Sequence, residues 1–300
     1  MAEAPQKVKF YNRVSGELEE ESIYGEGALR WAYYNPVGKL ITKLIVKNPI
    51  VSRFYGWLMS RSSSRKKIQP FIEQYKVDPS EFLDPPESYA DFNEFFFREL
   101  KPESRPIDHD DQSVVFPADG RHLAYTNIHK ADTIYAKGQE FNLEQFLGEM
   151  SFAHGLEGGT VLISRLCPVD YHRFHAPFSG VAMTPQMVGK SLYSVSPLAL
   201  SQKLEYLTEN RRWIIPFKLK NDKIAVVVVI GATFVGSAEF TFEPGFVEKG
   251  DELGFFYFGG SCVATILPPG YVELDESLAE HSQNGVESYD RMGRRFGSFS

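Results

Sequence analysis

The spacing of apolar residues changes along this chain, from a helical period in the first quarter to short β-rich runs beyond residue 107. Residues 1–22 are polar and read as peripheral. From Tyr24 to about Ile72 the period predicts helices, broken at Asn35-Pro36 and Asn48-Pro49 because proline disfavours helical backbone in the residue before it. Lys39, Lys43 and Lys47 recur every fourth residue, with Leu40, Ile41, Leu44 and Ile45 on the adjoining face. Ser62-Ser63-Ser64-Arg65-Lys66 predicts a hinge or helix start, and Asp84-Pro85-Pro86 another break. Strands are predicted at 114–116, 160–166, 213–219, 224–229, 238–242, 253–258 and 263–267, with helical signals at 143–150 and 198–209. The pattern predicts an α+β fold: a helical region over 1–75 and a predominantly antiparallel β body over 76–300.

Composition adds one contrast. At 43% hydrophobic and 24% charged, the 300-residue chain is neither disordered, collagen-like nor a coiled coil. Its net charge of −7 argues against a nucleic-acid partner that relies on overall positive charge. Yet residues 30–70 hold nine Lys or Arg and no Asp or Glu, which leaves −16 on the rest. This basic arm carries Trp31, Tyr33, Tyr34, Phe54, Tyr55 and Trp57, aromatics suited to a headgroup interface. It either lies on an anionic membrane, each basic charge contributing about 1 kcal/mol, or packs on the body with a solvated lysine face. Two cysteines, Cys167 and Cys262, are too few for a disulfide framework and fit a reducing compartment. The first residues lack the apolar core of a secretory signal, and no stretch reaches membrane-spanning length, so a cytoplasmic location is expected.

Three places join reactive side chains to turn residues. Asp119 sits in Pro117-Ala118-Asp119-Gly120 just past a predicted strand. Cys167 through His175 packs Asp170, His172, Arg173 and His175 into a few residues. A strand there would set the two histidines on opposite faces, and a turn could bring them together. Cys167 could serve as a third metal ligand, but no partner pair at zinc spacing occurs elsewhere, so no metal is expected. Acid–base chemistry suits the imidazoles better. The third place is Phe258-Gly259-Gly260-Ser261-Cys262, between two apolar segments that could pair as a hairpin. It lacks the spacing of a nucleophile elbow. Taken singly, each place is also what an ordinary turn looks like. Together, Asp119, His175 and Ser261 supply an orienter, a base and a hydroxyl, and a serine activated there could attack the peptide bond before it.

At these residues the chain resembles the phosphatidylserine decarboxylases, pyruvoyl-dependent membrane enzymes. The resemblance runs from about Arg61 to Leu267: Phe92 to Ile107, Pro117-Ala118-Asp119-Gly120, Asp170 to His175, Gly189 to Pro197, and Gly260-Ser261. It implies self-maturation, in which Asp119 and His175 activate Ser261, whose oxygen attacks the Gly260 carbonyl. Elimination and hydrolysis then leave ammonia, a β chain 1–260, and an α chain 261–300 headed by a pyruvoyl group made from Ser261. That covalent cofactor would form a Schiff base with phosphatidylserine and accept electrons as CO₂ departs, yielding phosphatidylethanolamine. The resemblance assigns His172 to decarboxylation, with Asp170 supporting. It further implies a homodimer and a peripheral enzyme on the cytoplasmic face of an anionic membrane.

Two positions depart from the family's pattern. Cys262 stands where Thr or Ser usually follows the reactive serine, and Arg211 where Glu is usual. Cleavage is expected to survive both. Arg98, Lys101 and Arg105 are candidate headgroup contacts or solvated charges. Other readings are a paralogue acting on another amino acid or serine lipid, an uncut hydrolase using Ser261 or Cys262, and a non-catalytic membrane-surface module.

Overall fold

A computed structural model describes residues 8–300 apart from 22, 24, 43–48, 128–141, 149, 201–202, 204, 233–237 and 260. Its apolar runs become strands because neither of their faces meets water. In the strand Ile224–Gly231, successive side chains point to opposite sides. Val226, Val228 and Ile230 enter one apolar cluster with Leu123 and Val161, while Val227 and Val229 enter another with Phe174 and Phe217.

Among the described residues this strand belongs to an eleven-stranded sheet. The order is Gly245–Val247, Gly180–Ala182, Arg212–Lys218, Ile224–Gly231, Ser261–Leu267, Thr160–Leu166, Gly120–Tyr125, Glu287–Asp290, Lys9–Asn12 and Glu17–Glu20, with Gln186–Val188 also on Arg212–Lys218. Lys9–Asn12 and Glu287–Asp290 pair in parallel, which makes the sheet mixed rather than uniformly antiparallel. Two three-stranded sheets complete the β body. One runs Ala238–Phe240, Glu252–Phe256, Arg173–His175, the other Val272–Leu274, Arg295–Phe299, Ser113–Val115.

The N-terminal helices are Glu26–Tyr34, Pro36–Ile41, Pro49–Met59 and Ile68–Tyr75, the last entered through a 3₁₀ turn at Ser62–Lys67. Asn35 ends the first helix and caps the second, its Oδ1 accepting from the Val37 and Gly38 N–H groups, with Pro36 at the first helical position. Met59, Ile68, Phe71, Phe82, Phe92, Phe95 and Phe96 form a third apolar cluster that also takes in Phe258. Trp31, Tyr34, Phe54 and Trp57 stay about half exposed. Lys39 lies in Pro36–Ile41, whereas Lys43 and Lys47 fall outside the described residues. No helix among the described residues is long and apolar enough to cross a membrane.

The hairpin expected around Gly259-Gly260 does not form. Glu252–Phe256 pairs with Ala238–Phe240 and Arg173–His175. Ser261–Leu267 has both edges taken, by Ile224–Gly231 and Thr160–Leu166. The chain therefore leaves a small sheet after Phe256 and enters the large one at Ser261. Gly259 turns the corner at φ 143°, a conformation that favours glycine.

Candidate active site

Ser261 opens a central strand and is fully buried, with Gly231 and Leu166 as its register partners on either side. Side-chain alternation sets it on the face of Val263 and sends Cys262 into the opposite cluster, with Ile230 and Ala264. Burial there pushes the Cys262 thiol up to about 12, so it is a packing group and not a second nucleophile.

The Ser261 hydroxyl lies 3.2 Å from Nδ1 of His172, and Nε2 of that ring lies 2.9 Å from the Cys167 carbonyl oxygen. A carbonyl can only accept, so Nε2 carries the proton and Nδ1 is left to accept from Ser261. The imidazole stacks on Phe96 with centroids 3.8 Å apart and planes 23° from parallel. Burial, helped by the Arg98 charge, pushes His172 down to about 3, so the ring is neutral near pH 7.

The Cys167 carbonyl belongs to a turn closed by Asp170. The Asp170 N–H donates to that carbonyl at 2.9 Å, and Asp170 Oδ2 accepts the Cys167 N–H at 2.6 Å. Both carboxylate oxygens of Asp170 accept from Arg121 at 2.6–2.7 Å. Burial raises the Asp170 carboxyl while Arg121 opposes the rise.

Asp119 is buried and occupied elsewhere. It accepts from Arg105 at 2.6–2.9 Å and from the Met292 N–H at 2.9 Å. His175 donates its backbone N–H to the Pro117 carbonyl at 2.7 Å, which ties its strand to the Asp119 turn. Its Nδ1 has no hydrogen-bond partner among the described residues, and burial pushes it down to about 3. His172 immediately precedes the strand Arg173–His175 and His175 ends it, so three positions of extended chain set them facing opposite ways. Among the described residues no hydrogen bond joins Asp119 or His175 to Ser261. His172 is the imidazole on the hydroxyl, and the expected orienter–base–hydroxyl series is not hydrogen-bonded in this arrangement. Gly260, the other half of the expected cleavage pair, lies outside the described residues.

Of the candidate headgroup contacts, Arg105 is the Asp119 partner and Lys101 donates to the Ser80 carbonyl at 2.8 Å. Arg98 is buried against the Phe95 and Phe96 carbonyls. Arg211 is half-buried between Asn210 and Arg212, which are buried. Phe96, Arg121 and Glu21 escaped the sequence reading. Phe96 and Arg105 do lie within the 92–107 motif, the one signal that could have found them. Among the described residues the group with metal-ligand geometry is Glu144, His154 and Glu157, all exposed and none of them a site residue.

Beside the site lies an apolar cavity of about 370 Å³. Leu29, Trp31 and Tyr55 of the N-terminal helices line it, together with Cys167, Val195, Phe258 and Gly259. The Tyr33 hydroxyl accepts the Ser194 N–H at 2.8 Å and pins the helical wall to the body.

Comparison with known proteins gives a consistent picture. A family model described as phosphatidylserine decarboxylase matches residues 92–298. The chain is similar to the phosphatidylserine decarboxylase proenzyme of Fusobacterium nucleatum, 40% identical over 294 residues that cover 98% of each chain. It is also similar to proteins of that name from Clostridium botulinum (38% identical, 97% of this chain and 99% of the relative) and Chlamydia trachomatis (37% identical, 98% of each).

Proposed function

The chain belongs to the phosphatidylserine decarboxylase family, and from that premise we propose that it converts phosphatidylserine to phosphatidylethanolamine and CO₂ after cutting itself before Ser261. The observation that carries the reading is Ser261 itself. It is fully buried, heads a central strand, rests its hydroxyl on a neutral imidazole, and lies two positions after Gly259, which lines an apolar cavity. That cavity is of the size small-molecule sites commonly have.

Maturation begins when the Ser261 oxygen attacks the Gly260 carbonyl and turns the amide into an ester. Asp119 and His175 are assigned to this step. Two features support them: the His175 ring is neutral with its Nδ1 unbonded among the described residues, and its strand is bonded to the turn that carries Asp119. A pyruvoyl group formed at residue 261 would supply an electrophilic carbonyl that binds the substrate amine and draws off the electrons released with CO₂. The position fits such a group, since its precursor side chain already occupies a dry, enclosed place beside His172. His172 holds Nδ1 toward residue 261 and moves the proton there during turnover, while Asp170 keeps the turn beneath it in shape.

The enzyme works as a peripheral protein on the cytoplasmic face of an anionic membrane. The half-exposed Trp31, Tyr34, Phe54 and Trp57 of the basic arm support this, as does a cavity walled in part by the same two helices.

Intact mass after expression tests the whole reading. The expected products are a fragment 1–260 and a fragment beginning at position 261 with a blocked, ketone-containing end, with Ser261→Ala leaving the chain whole. A wild-type chain that stays uncut and releases no CO₂ refutes it. His175→Ala should remain whole, whereas His172→Ala should cut yet release no CO₂. The reverse pattern would transfer the cleavage role to His172.

A further inference from the structure

The turn beneath His172 is gripped by a side chain from the far N-terminus. Glu21 follows the strand Glu17–Glu20, in a stretch the sequence marks as polar and peripheral, yet its side chain is 2% exposed. Its Oε1 accepts the Cys167 thiol at 2.7 Å and Arg165 Nη1 at 2.9 Å, and its Oε2 accepts Arg165 Nη2 at 2.8 Å. Arg165 is held in turn by Glu287, at 3.0 and 2.5 Å, and donates to the Cys167 sulfur at 2.9 Å. Cys167 is thus fixed at both ends, its side chain by Glu21 and Arg165 and its N–H by Asp170. Between those anchors lies the carbonyl that accepts His172 Nε2–H.

We propose that Glu21 is a positioning residue that sets the tautomer of His172 by fixing the direction of the Cys167 carbonyl. A hydrogen bond weakens steeply with angle, so a carbonyl free to swing releases Nε2. The ring can then carry its proton on Nδ1, where it cannot accept at residue 261. The outer partner of a working imidazole acts in this way at metal sites too. The inference rests on the decarboxylation role proposed for His172.

The test uses the full chain. Glu21→Ala should still cut itself, while kcat for CO₂ release falls by about tenfold or more and KM stays within about threefold. Glu21→Gln, which keeps an oxygen acceptor for the thiol, should recover most of that loss. In uncut Ser261→Ala protein, nitrogen-15 NMR of the histidines should find the Nε2–H form of His172, and a mixture of tautomers once Glu21→Ala is added. An unchanged kcat, or a lower kcat with the tautomer intact, overturns the proposal. If Glu21→Ala fails to fold, Cys167→Ala must reproduce the kcat loss, because it removes the thiol contact and leaves the Glu21–Arg165 pair. Failure to do so also overturns it. A wild-type protein that releases no CO₂ counts against the enzyme reading, and the tautomer measurement still decides the role of Glu21.

Discussion

Phe95 and Phe96 are neighbours in the helix Phe92–Phe96, equally buried, and face different surroundings. Phe95 meets the rings of Phe71, Phe82, Tyr89 and Phe92 at 5.5–6.0 Å. Phe96 lies flat on His172 at 3.8 Å and edge-on to Phe258 at 4.9 Å. Leucine at either position roughly keeps volume, at a cost up to about 1.5 kcal/mol, and each aromatic pair lost adds about 0.5–1.5 kcal/mol. Four ring neighbours against two then put Phe95→Leu at about 3–5 kcal/mol and Phe96→Leu at about 2–3 kcal/mol, allowing for non-additivity. Urea unfolding of the two variants in uncut Ser261→Ala protein measures that order. Activity should run the other way. Phe96→Leu removes the flat support of the imidazole and should lower kcat about tenfold, or 1.4 kcal/mol of barrier, while Phe95→Leu stays within about twofold. If the two variants lose kcat equally, or in the order of their stability losses, the stack does not orient His172.

Arg105→Met takes away the cation beside buried Asp119, so unfolding free energy should fall by about 3–5 kcal/mol and self-cleavage should stall; cutting at the wild-type rate would refute the pairing's role. Burial pushes His122, His172 and His175 down to about 3, below the roughly 6.5 of an unfolded chain, so the unfolded state takes up protons first. Thermal midpoints of Ser261→Ala protein should therefore fall as pH drops from about 6.5 toward 3, and a flat profile would contradict the assignment. Burial pushes the Glu21 carboxyl up, but the charges and hydrogen bonds of Arg165 outweigh it and bring it to about 2. Its stabilisation of about 3 kcal/mol is present above roughly pH 4.5, is lost as pH falls toward 2, and should be missing from the acid limb of Glu21→Gln. Replacing Lys39, Lys43 and Lys47 with Gln should weaken binding to anionic vesicles by about 100-fold, and unchanged, salt-insensitive binding would refute the surface role.

What could be read from the chain alone was whatever depends on near neighbours. The β-branched run at Val226 to Val229 announced a strand, and Asn35-Pro36 announced a helix break through the backbone that proline imposes on the residue before it. The hydrogen bond of His172 to Ser261, 89 positions apart, has no periodic signal, and the resemblance had paired that hydroxyl with His175 instead. Arg105 stood among charges that look solvated until a fold brings Asp119 against it. The hairpin expectation failed because adjacency favours pairing only when an edge is free, and both edges of Ser261–Leu267 were taken. Glu21 was hidden by its polar neighbours. A carboxylate bound for the interior needs its guanidinium partner, and that partner lies 144 positions away.

The residues after 260 supply strands to the large sheet at Ser261–Leu267 and Glu287–Asp290, and to a small one at Val272–Leu274 and Arg295–Phe299. Cutting before Ser261 would leave a 40-residue piece with no core of its own, threaded through the middle of its partner. Folding must then come first, while the connection still makes every strand encounter intramolecular. Once cut, unfolding is a one-way event: reassembly becomes a concentration-dependent meeting of two incomplete chains, and the lifetime of the active protein is governed by its unfolding rate.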